Sequence, residues 1–440
     1  MKTNTITAVP RLRFPEFQEE EGWERSEFNK VYDLKITNSL SRAKLNYVKG
    51  SVKNIHYGDI HTQFSALFDI NKEEVPFIDE EETNYKSETG DFCIEGDIVL
   101  ADASEDIKDI GKSIEIINIT NQKIVCGLHT IHARPKKNKL YIGFGAYLFQ
   151  SHFIRTQIQL ESQGAKVLGL SKGRLDKINL LLPKTDEQQK IADCLSSLDT
   201  LIKAEDEQLN TLKEYKAGLL QQLFPAEGET MPKRRFAEFE GDGDWEEVSL
   251  NNICHFVRGP FGGALKKDIF VENGYAVYEQ AHAIYGNFDS FRYFITQQKF
   301  DELKRFEVKA DDLIMSCSGT MGKFSRIPKN PKKGVINQAL LKLTVKKGYS
   351  TSFIKNALEL PLNQSKLLSQ SAGGAVKNVV GVSLIKQITI AVPNIDEQNR
   401  ITECITLLDD LIESQSKKIE ALKQHKQGLM QQLFPVMDGK

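Results

Sequence analysis

Two stretches of the chain place apolar residues on alternating steps of four and three. In the first these are Ile191, Leu195, Leu198, Ile202, Leu209, Leu212, Leu219 and Leu223; in the second, Ile401, Ile405, Leu408, Ile412, Ile419, Leu422, Leu429 and Leu433. Steps averaging about 3.5 residues keep one stripe turned towards a partner helix, whereas a free amphipathic helix would drift off that period. The pattern predicts coiled-coil helices over 184–225 and 394–435. Glu205, Lys216, Gln415 and Lys426 interrupt the stripe with polar groups of the kind that fix register. Pro183 and Pro393 precede the helices, Asp186-Glu187 and Asp396-Glu397 put negative charge at their positive ends, and Pro225 and Pro435 stop them.

The two stretches are copies of one another. Asp186–Pro225 and Asp396–Pro435 align without a gap, with about half their positions identical. A second matched pair lies upstream: Pro10–Phe17 (PRLRFPEF) answers Pro232–Phe239 (PKRRFAEF), and Trp23-Glu24 answers Trp245-Glu246. After Pro225 the chain continues into the P-x-x-R-F segment of the second half. After Pro435 the matching continuation is the one that starts the first half, so the sequence reads as a ring cut open between Pro435 and Pro10. Residues near 25 to 165 and near 247 to 375 align poorly. Matched ends with divergent middles imply a common frame carrying two different readers.

Chain order then dictates topology. The first helix leads to the second globular segment, and the second helix starts there. To bury its stripe against the first it must run back, so the helices are expected to be antiparallel, a spacer of roughly 57 Å with a pseudo-twofold axis across its middle. Two domains at fixed separation suit two short half-sites on a duplex, and unlike domains imply an asymmetric target.

The globular segments mix short β-branched runs with helical patterns. Gly96-Asp97-Ile98-Val99-Leu100 answers Asp311-Asp312-Leu313-Ile314-Met315, each read as a turn followed by a strand. Stretches 143–163 and 351–370 read as helices, and KINLLLP and KQITIAVP, ending at Pro183 and Pro393, read as strands. The expected fold is α/β: two globular α/β domains separated by an antiparallel two-helix coiled coil, as a pseudo-twofold internal repeat. The expected division is 1–183 for the first domain, 184–225 for the first long helix and 226–244 for a linker. Residues 245–393 follow as the second domain and 394–435 as the second long helix.

Composition adds limits. No apolar run approaches the roughly 18 residues of a membrane span, and Met1–Pro10 lacks a signal-peptide layout, so a cytoplasmic protein without membrane contact is expected. A net charge of −2 argues against attachment to nucleic acid by bulk charge alone and leaves room for local basic surfaces. The six cysteines form no C-x-x-C pair and have no histidine at zinc-ligand spacing; they read as reduced, buried thiols, with no metal expected.

Candidate contacts to nucleic acid come in clusters. Lys44, Lys49, Lys53, His56 and Tyr57 form a basic stretch with an aromatic, either a phosphate and base-edge surface or a solvated face. Gly259-Pro260-Phe261-Gly262-Gly263 followed by Lys266 and Lys267 reads as a tight loop presenting lysines, or simply as a turn. Ser318-Gly319-Thr320-Met321-Gly322-Lys323 suits a backbone-amide nest for phosphate but is no Walker A loop, since Phe324 follows the lysine. Arg134, Lys136 and Lys137, and Lys329, Lys332 and Lys333, are further basic clusters; Asn337-Gln338 has the chemistry to pair with adenine. Chemistry of its own is not expected. No N/D-P-P-Y/F loop of an amino-methyltransferase is present, and the carboxylate run Asp79-Glu80-Glu81-Glu82 reads as an acidic turn.

The D-E-Q openings, the Q-Q-L-F-P endings and the tandem layout resemble the specificity subunits of type I restriction-modification systems, over essentially the whole chain. Gly96-Asp97-Ile98-Val99 with Ala101-Asp102-Ala103-Ser104-Glu105-Asp106, His129-Thr130-Ile131 with Arg134-Pro135, and the Gly259 and Ser318 segments add to the resemblance. It implies a non-catalytic subunit whose globular domains read double-stranded DNA and whose helices dock two modification subunits. Adding restriction subunits would complete an ATP-driven nuclease, with S-adenosylmethionine, ATP and magnesium on the partners and no cofactor on this chain. The competing expectation is a coiled-coil scaffold that joins proteins without touching DNA.

Overall fold

The computed structural model describes residues 7–79, 91–261, 263–369 and 381–436. Gly262, the end of the acidic run from residue 80, and Gln370 lie outside them. The chain forms two compact units, residues 1–207 with 417–440, and residues 208–416. The boundary falls inside both long helices, Thr185–Leu223 and Ile395–Leu433, each 39 residues long.

In unit 1 a five-stranded sheet runs in the order 32–35, 130–135, 98–101, 113–118 and 67–69, antiparallel except for the last pair. A second sheet is built on the parallel pair Lys53–Ile55 and Ile124–Cys126. Trp23–Glu27 and Asn179–Leu182, the KINLLLP run, pair antiparallel. Unit 2 repeats the plan. Strands 254–258, 340–345, 313–316 and 324–326 form one sheet, 275–278 and 334–336 are the parallel pair, and Glu246–Ser249 pairs with Thr389–Val392. The turn-then-strand expectation holds: Gly96 (φ 90°) and Asp311 (φ 67°) both take the left-handed region before their strands. The helical stretches break, into 144–150 and 152–161 in unit 1 and 351–359 and 361–369 in unit 2, the latter at Pro361.

Within each unit the long helices meet antiparallel. In unit 1 Lys426 bonds Asp199 at 2.5 Å and Lys418 bonds Glu205 at 2.7 Å; in unit 2 Lys216 bonds Asp409 at 2.5 Å. Rising numbers on one helix thus meet falling numbers on the other. The polar interruptions Lys216, Lys426 and Glu205 are the register pairs themselves. Ile191, Leu195, Ile202, Leu223, Ile401, Ile405, Leu408 and Leu433 are buried; Leu198, Leu212, Ile412 and Leu422 are half-buried on the same stripe.

The repeated motifs clamp helix ends to the globular parts. Arg13, from P-x-x-R-F, makes two hydrogen bonds to Glu187 of D-E-Q (2.9 and 2.7 Å), and Trp23 Nε1 adds a third at 3.2 Å. Arg235 holds Glu397 in unit 2 at 2.8 and 2.7 Å. Gln188 and Gln398 accept from Tyr141 N and Ser350 N and donate to Pro183 O and Pro393 O. Phe434 of the second Q-Q-L-F-P packs on Trp23 and Phe144, and Phe224 of the first on Trp245 and Phe353. The ring reading has a structural counterpart: Leu12 N donates to Gln432 O in unit 1 as Arg234 N donates to Gln222 O in unit 2. No helix among the described residues is long and apolar enough to cross a membrane.

Candidate nucleic-acid interface

The same three loops converge in each unit. They are the loop leaving the first strand of the parallel pair into a short helix, the loop after the strand that follows the left-handed turn, and the loop leaving the second parallel strand.

In unit 1 these loops bring His56 and Tyr57, Asp102, and His129 together. His56 caps the helix Tyr57–Thr62, its Nδ1 accepting from Gly58 N at 3.1 Å. Burial, helped by Arg42, lowers the pKa of that imidazole and so favours the neutral acceptor. Tyr57 sits 4.7 Å from the His56 ring and 5.2 Å from His129, edge-on. His129 takes a positive φ (55°) and its Nδ1 lies 3.1 Å from Asp102 Oδ1. His61 bonds Ala103 O at 3.0 Å. The result is a partly exposed patch of three imidazoles and a phenol beside a carboxylate, able to stack and to donate or accept, with little fixed charge.

In unit 2 the corresponding loops carry Gln280, Ser318 and Thr320, and Asn337. Ser318 Oγ donates to Gln280 Oε1 at 2.9 Å, and the Gln280 amide bonds Ser318 O. Gln280 and Asn337 line an open cleft of about 520 Å³ with Glu279, His282, Tyr285 and Arg292. Arg292 lies over the Tyr293 ring at 4.3 Å, and Tyr285 is 79% exposed. Here the chemistry is that of amides, hydroxyls and a guanidinium, a set that both donates and accepts hydrogen bonds.

The remaining sequence candidates fall elsewhere. Lys44 and Lys49 are exposed near the 42–44 turn, and Lys53 is half-buried with its ammonium 5.2 Å over Phe77, its pKa lowered by burial. Arg134 grips Asp97 (2.9 and 2.8 Å) and Phe92 O, which commits its guanidinium to the frame. Lys136 bonds Asn29 O at 2.7 Å and lies 3.5 Å from Asp33. Lys266 and Lys267 are exposed at the 267–269 turn; Lys323 and Gln338 are exposed. The amide-nest expectation needs correction. Gly322 N and Lys323 N are spent on Ser316, whose backbone and hydroxyl accept them, so the loop does not present those donors to a phosphate. Sequence reasoning missed Gln280, Tyr285, Arg292 and Asp102 as face residues; for Asp102 and Gln280 the available signal was position, just after strands shared by both halves.

One α/β frame, repeated with unlike loop residues in its two units and joined through long helices, defines the class: a tandem-repeat protein of two globular domains. The family described as type I restriction modification DNA specificity domain matches residues 21–214 and again 242–424, and the chain belongs to it. A relative bearing the provisional name type I restriction enzyme MjaX specificity subunit, from Methanocaldococcus jannaschii, is 24% identical over 94% of this chain and 93% of its own length. The type I restriction enzyme MjaVIII specificity subunit of the same organism is 23% identical over 68% of this chain and 71% of its own. The fold matches the crystal structure of a type I restriction-modification S subunit from M. genitalium, with TM-score 0.56 and 14% identity over 98% of this chain and 100% of that one. A chain from a structure addressing assembly and conformational transition of the type I system matches with TM-score 0.57 and 14% identity over 97% and 99%. The protein is thus a type I restriction-modification specificity subunit.

Proposed function

We propose that this chain reads an asymmetric, bipartite site on double-stranded DNA and directs adenine methylation and ATP-dependent cleavage carried out by partner subunits. The observation that carries this reading is the three-loop face, built at the same place in both units from unlike residues. One frame presenting imidazoles and a phenol in one unit, and amides and a guanidinium in the other, suits two half-sites of different sequence. A scaffold that never touches DNA has no use for that contrast, and family membership opposes it.

Two modification subunits would dock along the long helices, where Leu201 and Leu411, equivalent positions of the repeat, are 41% and 54% exposed. Restriction subunits would complete the nuclease, and S-adenosylmethionine, ATP and magnesium would be bound by the partners, in the cytoplasm. The test is a selection on random duplexes with the chain co-expressed with its modification subunit. Recovery of two unlike short motifs at a fixed gap is expected; an assembled complex that retains no sequence would overturn the proposal.

A further inference from the structure

Beneath the unit 1 face lies a group of side chains that the DNA-reading role does not use. Cys93, Cys126 and His132, all 2% exposed or less, each offer one ligand atom within 4.8 Å of the others. The two sulfurs are 3.4 Å apart. One nitrogen of His132, Nε2, is 2.6 Å from the Asp97 carboxylate; the other, Nδ1, is buried with no hydrogen-bond partner among the described residues. A carboxylate on one imidazole nitrogen is the usual support of a metal-bound histidine, because it fixes the ring and raises the basicity of the free nitrogen. Asp97 is itself held by Arg134 and by Ile94 N.

Unit 2 shows that the fold has no need of these residue types. Val308 N donates to Gly334 O as Cys93 N donates to Ile124 O, and the two strands following share their register. The positions of Cys93, Cys126 and His132 are taken there by Val308, Ile336 and Lys342, so valine and isoleucine suffice for packing. Two thiols and an imidazole at one point in an apolar core add something packing does not require. Spacing concealed the group, since the cysteines are 33 residues apart and the histidine lies on another strand.

We propose that Cys93, Cys126 and His132 form a buried site in unit 1 for a soft, thiophilic divalent metal ion of the zinc class. Two metal–sulfur bonds and one metal–nitrogen bond form, and the two thiol protons leave to solvent, with no change of oxidation state. Two thiolates and a neutral imidazole balance the charge of the ion, and the adjoining Asp97–Arg134 pair is also neutral, so loading the site leaves no net charge in the core. Cys126 ends the strand that leads into His129, and His132 lies on the strand beyond. A bound ion therefore stiffens the loop beneath the Tyr57–His129 contact in unit 1 alone, and this departs from the expectation that the chain holds no metal.

The experiment uses the full chain, reduced and titrated with zinc(II) alone or cobalt(II) alone. About one equivalent is expected to survive dialysis, with thiolate-to-cobalt charge-transfer absorption in the cobalt form. The double variant Cys93→Val with Cys126→Ile, which carries unit 2's residues at both places, should keep the circular dichroism of the parent and lose both signals. Cys194, Cys254, Cys317 and Cys404 remain in it, so the loss assigns the site. Absence of uptake by the parent, or equal uptake by parent and variant, would each overturn the proposal.

Discussion

Asp97 and Asp312 occupy the same place in the two units, each buried and each accepting the backbone amide three residues before it. Unit 1 pairs its aspartate with Arg134 and a hydrogen bond to His132; unit 2 uses Lys342, 3.5 Å away, and a hydrogen bond from Thr344. The frame therefore specifies a carboxylate and a donor opposite it, and leaves the donor's identity open. At the three-loop face the freedom is wider still. The backbone path is shared, while the chemistry changes from imidazole and phenol to amide and guanidinium. A repeat of this kind keeps the positions that join parts and varies the positions that face outwards.

The joins should be the most sensitive points. Glu187→Ala leaves Arg13 buried without its partner and should destabilise unit 1 by about 3–5 kcal/mol; Glu397→Ala should do the same to unit 2. Hydrogen exchange resolved by segment checks that each loss stays within its own unit, and a loss spread equally over both would break the comparison.

A second contrast is set by pH. Glu115 is buried beneath the 144–150 helix, accepting from Gly143 N and Ala146 N at 2.7 Å, and burial raises its pKa from 4.5 to about 7. The folded state therefore holds a proton that the unfolded chain has already lost. Stability from this group is full below about pH 4.5 and declines as pH rises to about 7, by roughly 3 kcal/mol. The equivalent place in unit 2 holds Arg326, paired with Asp311, so that unit should lack this slope. Glu115→Gln should flatten the pH dependence of exchange in residues 143–161.

Smaller effects belong to the helix stripe. Leu198→Lys or Leu408→Lys should cost roughly 1–3 kcal/mol of apolar burial. Each should lower assembly with modification subunits before it alters the preferred DNA sequence, as pull-down and selection together would show. Smallest of all, Lys266→Ala and Lys267→Ala should weaken binding alike on every duplex, reducing the salt slope by about one for each phosphate left without its lysine.

Much of this architecture was legible in the sequence because period and repetition are local signals. The four-three spacing placed the stripe, and Lys216 and Lys426, read as register-fixing interruptions, meet Asp409 and Asp199. The paired motifs marked the clamps, although nothing in the sequence said that Arg13 would reach Glu187. The face was less legible. His56, Asp102 and His129 are brought together by strand order, and a basic residue does not announce its partner, so Arg134 gave no sign of its commitment to Asp97. Equivalence between the halves was the missing guide, because Gln280 falls where Tyr57 falls only once the strands are matched.

The most direct test of the central claim, that each unit's three-loop face reads its own half of the target, is a duplex selection with the assembled complex carrying Gln280→Ala and Asn337→Ala. One half-motif should become degenerate while the other half and the gap stay unchanged. Loss of both halves together, or retention of both, would contradict the account.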